Sequence, residues 1–170
     1  QITGHFSIAP LSIPINSTSG ATGIGMTCLE FKPATNGNET SISQITLTLT
    51  SDGAFASSAI RDIRVYYEPG GNAEYDNGAP PASGGDDVVA DTGGVHTFTG
   101  NSATIPLDPA VVRFLFPGGA KRLYVVFDFT SAADTTTTVG CEVASVTYGA
   151  AGTGTGSTLN PTAHGEKRNA

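Results

Sequence analysis

The chain has no tryptophan, a single methionine and only two cysteines in 170 residues, and just 14% of its residues are charged. It also lacks any run near the roughly 18 consecutive apolar residues that a membrane-spanning helix needs. No segment keeps apolar residues at three-and-four spacing for long before glycine, proline or a β-branched run interrupts it, so amphipathic helices are not expected. The eight basic residues never form a run, and a net charge of −7 with a pI near 4.7 sets up a field that repels nucleic acid and anionic lipid. Nucleic acid is therefore not expected as a partner, and a direct membrane span is not expected either.

Catalytic patterns are missing as well. The sequence holds no G-x-S-x-G, no H-E-x-x-H and no glycine loop leading into a helix to cradle phosphate. His5, His96 and His164 are widely separated, and no spacing singles out a carboxylate pair among the fifteen acids. The reading is that the protein is not an enzyme.

What is present is glycine (22), proline (10), threonine and serine, the composition of short strands and many turns. A chain of this length fits one domain with a single core. The segment KRLYVVFDF over Lys121–Phe129 places Leu123, Val125, Phe127 and Phe129 on one face and Arg122, Tyr124, Val126 and Asp128 on the other, as a central strand would. SISQITLTLT alternates Ile45, Leu47 and Leu49 with Gln44, Thr46, Thr48 and Thr50, the pattern of a half-solvated antiparallel strand. Further strands are expected at Gly23–Phe31, Ile60–Tyr67, Val95–Thr99, Ala103–Leu107 and Val139–Tyr148, each bounded by turn residues. Short strands at this spacing point to a β-sandwich.

Residues 1–20 read as an extended arm or first strand, 21–149 as the sandwich, and 150–170 as a Gly/Thr-rich tail with the composition of a linker or disordered end. In the arm, Phe6 and Ile8 share one face and Leu11, Ile13 and Ile15 another, with Pro10 and Pro14 confining the segment to a sheet edge or to a crossing between sheets. A start at Gln1 reads as a mature chain whose leader has been removed, hence an exported, cell-surface protein. An even cysteine count in that compartment predicts a Cys28–Cys141 disulfide stapling the first long strand to the last.

One loop has the look of a site. In RVYYEPGGNAEYDNG, Asn72, Glu74 and Asp76 supply oxygen ligands at alternate positions, which is what Ca²⁺ asks for. The pattern is incomplete: it begins with Asn, and Gly84 stands where a closing Glu belongs. The loop reads first as a long hairpin connection with Asp86, Asp87 and Asp91 solvated, and Ca²⁺ is the sole cofactor the sequence suggests. Tyr66, Tyr67, Tyr75, Tyr124 and Tyr148 are the flat rings on which a sugar would stack, or else strand residues with hydroxyls at the rim. Asn16 in N-S-T and Asn38 in N-E-T are glycosylation candidates.

Taken in order, ITLTLTSDG, IRDIRVYYEPGGNAEYDNG, FTGNSATIPLD, GGAKRLYVVFDFTSAA and VGCEVASVTY resemble the β-sandwich modules of large exported surface proteins of bacteria and archaea. The resemblance runs from Ile42 to Tyr148 and rests on structural motifs. It implies an all-β, Ig-like antiparallel β-sandwich of about seven to nine strands. It also implies building and adhesion: a subunit of an extracellular filament, pilus or surface layer. Its partners would be copies of itself, each lending an arm to its neighbour through Phe6, Ile8, Leu11, Ile13 and Ile15, or a separate helical pilin chain. The alternative is a non-catalytic calcium- or carbohydrate-binding module of an exported protein.

Overall fold

The alternation in Lys121–Phe129 governs the architecture. In the computed structural model, which describes residues 2–5, 20–31, 40–52, 55–68, 88–114, 121–133, 136–150, 157–159 and 168–169, this segment is a strand in the middle of a sheet. The strands in chain order are β1 (Ile2–His5), β2 (Ala21–Phe31), β3 (Thr40–Asp52), β4 (Ile60–Glu68), β5 (Val88–Val89), β6 (Ser102–Pro106), β7 (Arg113–Phe114), β8 (Lys121–Phe129), β9 (Thr138–Ala150), β10 (Ser157–Leu159) and β11 (Arg168–Asn169). Six of them, β2, β3, β4, β6, β8 and β9, have five residues or more. Among the described residues there is no α-helix; Ser57–Ala59 makes one 3-10 turn.

Two antiparallel sheets form an all-β sandwich. The first has the order β1-β2-β8-β4-β5 and the second β10-β9-β3-β6, with β11 also on β9 and β7 also on β3. Each connection between successive long strands crosses from one sheet to the other. In the Ig order, by contrast, strands D and E share a sheet, as do F and G. The sandwich is thus as expected from the sequence, with fewer long strands and its own strand order.

One core lies between the sheets. Leu123, Val125, Phe127 and Phe129 of β8 face it together with Ile63 and Val65 of β4, and from the opposite sheet come Ile45, Leu47, Ile105, Val143 and Val146, all within 2% of complete burial. Phe127 is the hub of edge-to-face ring contacts, its centroid 5.5 Å from Phe98 and 6.0 Å from Phe129, which in turn lies 6.2 Å from Phe55. Such pairs contribute about 0.5–1.5 kcal/mol each beyond their buried area. On β9, Val143 and Val146 are three apart yet both inward, because the register slips between Thr46 and Leu47 of β3 and leaves Ala144 as an extra residue.

Two expectations, the Val95–Thr99 strand and the disulfide, are corrected. Val95–Thr99 is not a strand. It follows Gly93 and Gly94, both at positive φ, and runs beside β4 with the His96 carbonyl accepting from Ile63 N–H while its own N–H donates to the Asp62 carboxylate. A side chain thereby takes the place of a ladder carbonyl. In the stretch read as a linker or disordered end, Ser157–Leu159 forms β10, paired with Val146–Tyr148, and Arg168–Asn169 forms β11, paired with Thr138–Val139. Finally, Cys28 and Cys141 are both buried and not joined. The reason is the pleat: Cys141 of β9 faces the core between the sheets, whereas Cys28 of β2 alternates with core-facing Leu29 and lies on the opposite side of the first sheet with Tyr66, Tyr124 and Val126. Two side chains on opposite faces of a sheet cannot reach disulfide geometry.

Two predictions follow from this packing. Gly20 has φ +75 and a Cβ there would stand 2.0 Å from the Phe129 carbonyl oxygen, whereas Gly100, at φ +62, has open space around it. Gly100→Ala should cost only the left-handed penalty of about 1–2 kcal/mol, and Gly20→Ala distinctly more, read as the larger fall in thermal midpoint; equal falls would contradict the contact. A thiol assay on guanidinium-unfolded protein should find both cysteines reactive, and reductant should leave the melting temperature unchanged; a marked drop on reduction would restore the disulfide.

Candidate functional site

The outer face of the first sheet, turned away from the second, carries the polar constellation. It starts from a bulge. Between Ile60 and Asp62 the register with β8 shifts, so Ile60 pairs with Phe129 and Asp62 with Asp128, and Arg61 is the extra residue. Ile60 keeps its place in the core, and Arg61, Asp62, Arg64 and Tyr66 gather on the other side of β4.

The bulge sets two aspartates opposite one another, an arrangement that repels unless cations and donors intervene. Both are supplied. The Asp128 carboxylate is 9% exposed; its Oδ1 accepts from Gly23 N–H at 2.8 Å, and its Oδ2 lies 3.5 Å from Arg61 and 3.8 Å from Arg64. Asp62 accepts from His96 N–H at 3.0 Å and from Arg64 Nε at 3.1 Å. The Tyr66 hydroxyl, hydrogen-bonded to Arg64, holds its guanidinium above the usual arginine value; partial burial opposes this, and Asp62 adds to it. The arginine side chains are about half exposed, so their ion pairs stabilise little. The bonds from buried carboxylate to main-chain N–H weigh more, because a lost partner would leave a buried donor unsatisfied.

Around this network lies a cavity of about 410 Å³ lined by Thr22, Gly23, Arg61, Arg64, Tyr66, Val126 and Asp128, most of its surface polar. Beside it Cys28, Tyr66, Tyr124 and Val126 form a buried strip on the same face. A further acid, Asp91, accepts from Val65 N–H at 3.1 Å and Gly93 N–H at 3.0 Å, with His96 Nε2 at 3.8 Å. Its side chain is 5% exposed, which corrects the expectation of a solvated Asp91: it fastens the turn at Gly93 to β4.

Of the residues singled out in the sequence, Tyr66 and Tyr124 are on this face but buried instead of at a rim, and Tyr67 turns to the core, its hydroxyl donating to the Arg113 carbonyl at 3.1 Å. Tyr148 is partly buried against the core. Phe6, Ile8, Leu11, Ile13, Ile15, Asn16, Asn38, Asn72, Glu74, Tyr75 and Asp76 lie outside the described residues. Among the described residues no group of three or more His, Cys, Asp or Glu could hold a metal ion, and no helix is long and apolar enough to cross a membrane. The Arg61–Asp62–Arg64–Asp128 network was missed. Its signal was the IRDIR repeat of charge on a strand together with Asp128 on the polar side of β8. Comparison with protein-family models and with curated protein sequences gives no match.

Asp62→Ala should cost about 1–3 kcal/mol in urea unfolding, since it strands the His96 N–H and releases Arg64. Arg61→Ala, at a half-exposed site, should change stability by no more than about 1 kcal/mol. A reversal of that order would contradict the anchoring role given to Asp62.

Proposed function

We propose that the protein is a structural subunit of an extracellular filament, pilus or surface layer, joined to copies of itself through β-strand contacts. The observation that carries this reading is the outer edge of β2. β1 pairs with it only from Cys28 to Phe31, and among the described residues no strand pairs with that edge along Ala21–Thr27. A sheet edge that its own described strands leave uncovered is a template for an added strand. The continuation of β1 in sequence holds Phe6, Ile8, Leu11, Ile13 and Ile15, apolar side chains suited to pockets along such an edge.

The first strand is therefore the exchangeable element: folded back it completes its own sheet, and donated it completes a neighbour's. Head-to-tail donation does not close on itself and so yields filaments. The acids around the cavity are engaged in holding main chain, a structural task in keeping with a building subunit. Export is part of this proposal and rests on the resemblance to surface modules, since the two thiols give it no support.

Negative-stain electron microscopy of the full-length chain should show filaments of uniform width, and a chain lacking residues 1–16 should remain monomeric. Monodisperse full-length particles, or filaments formed equally well without the arm, would contradict strand donation.

A further inference from the structure

We propose that the cavity on the outer face of the first sheet binds a neutral sugar, holding a pair of vicinal hydroxyls between the Arg61 and Arg64 guanidinium groups and the Asp128 carboxylate. This goes beyond the structural-subunit reading and stands whether or not the chain polymerises.

The size fits first. At about 410 Å³ the cavity falls within the range of small-molecule sites, about 300–1,000 Å³. Its charges then narrow the ligand. Two arginines face two aspartates, Asp62 and Asp128, within 3.1–3.8 Å, so the site carries no net charge to attract an anion or a cation. Of the lining residues only Asp128 is a carboxylate, too few hard oxygens for Ca²⁺, which takes about six to eight ligands. An apolar ligand is disfavoured because most of the lining is polar.

What the lining offers is donors beside an acceptor. Each guanidinium has five N–H donors in a planar fork. The contacts from Arg61 and Arg64 to Asp128 Oδ2 are long, 3.5 and 3.8 Å, against about 2.7–2.9 Å for a charge-assisted bond at its best. The carboxylate oxygen is thus open to a shorter O–H donor, and the arginines to an acceptor. A hydroxyl is both at once. Adjacent hydroxyls of a pyranose accept from the forks and donate to Asp128, and Thr22, exposed at the side of the cavity, adds a further hydroxyl; Val126 and Tyr66 are buried and form its floor. Asp128 is held in place by its bond from Gly23 N–H, so the acceptor is oriented before any ligand arrives.

The test is an NMR titration of the isotopically labelled full-length chain with methyl α-mannopyranoside, methyl β-galactopyranoside and N-acetylglucosamine in turn, and with inorganic phosphate for comparison. At least one sugar should saturably shift the Gly23 amide and the Arg61 and Arg64 Nε–H signals, with an affinity in the millimolar range. Arg61→Ala should weaken that binding about tenfold, the effect of one lost bond to a charged group, with the rest of the spectrum unchanged. Asp128→Asn, which retains an acceptor for Gly23 N–H, should weaken it similarly. The proposal is overturned if none of the sugars shifts these signals, if phosphate shifts them and the sugars do not, or if Arg61→Ala leaves the affinity unaltered.

Discussion

The structure depends on β8 being useful on both of its faces. A central strand has hydrogen-bond partners on either side, β2 from Ala21 to Phe31 and β4 from Ile60 to Glu68, so its own side chains are fixed by a two-sided ladder. One face delivers Leu123, Val125, Phe127 and Phe129 to the core, and with them the ring contacts that tie β8 to Phe55 and Phe98. The opposite face delivers Tyr124, Val126 and Asp128 to the outer surface of the sheet. A one-residue slip would exchange these sets, burying Asp128 among phenylalanines, and the pairing register is strongly specified for that reason.

Acidic side chains do a second kind of work in this fold. Asp62, Asp91 and Asp128 each accept from main-chain N–H groups: His96 beside β4, Val65 of β4 with Gly93 at the turn, and Gly23 near the start of β2. All three sites lie where the chain departs from strand geometry, at a bulge, a glycine turn or a register shift. In a chain with so little charge, these carboxylates are linchpins of irregular backbone, and their arginine neighbours keep the facing aspartates compatible.

Much of the fold was legible in the sequence. The period-two pattern located β8 at its observed bounds and β3, β4 and β9 to within a few residues, because each buries one apolar face and the pattern records that burial. The failures have physical causes. Val95–Thr99 has the composition of a strand, but its His96 N–H donates to a carboxylate instead of a ladder carbonyl, which no local pattern reveals. The cysteine pairing was inferred from count and compartment, and those say nothing about which face of a sheet each residue occupies. The candidate site combines one stretch of β4 with residues of β2 and β8 and relies on a bulge that puts Arg61 and Asp62 on the same face, so its geometry is not written in any one stretch of sequence. The calcium candidates of the sequence, Asn72, Glu74 and Asp76, belong to one contiguous loop, the kind of feature sequence reading finds most easily.

The fold joins a body held by long two-sided pairings to a first strand whose described pairing is short and one-sided. β8 is paired along most of its length on both edges; among the described residues β1 meets β2 at four residue pairs and is itself an edge. Local opening free energies should differ accordingly. Native-state amide hydrogen exchange on the monomeric chain measures that difference directly. The account predicts that the amides of Leu123–Phe129 exchange only through global unfolding while those of Ile2–His5 exchange orders of magnitude faster; equal protection of β1 and β8 would contradict an exchangeable first strand.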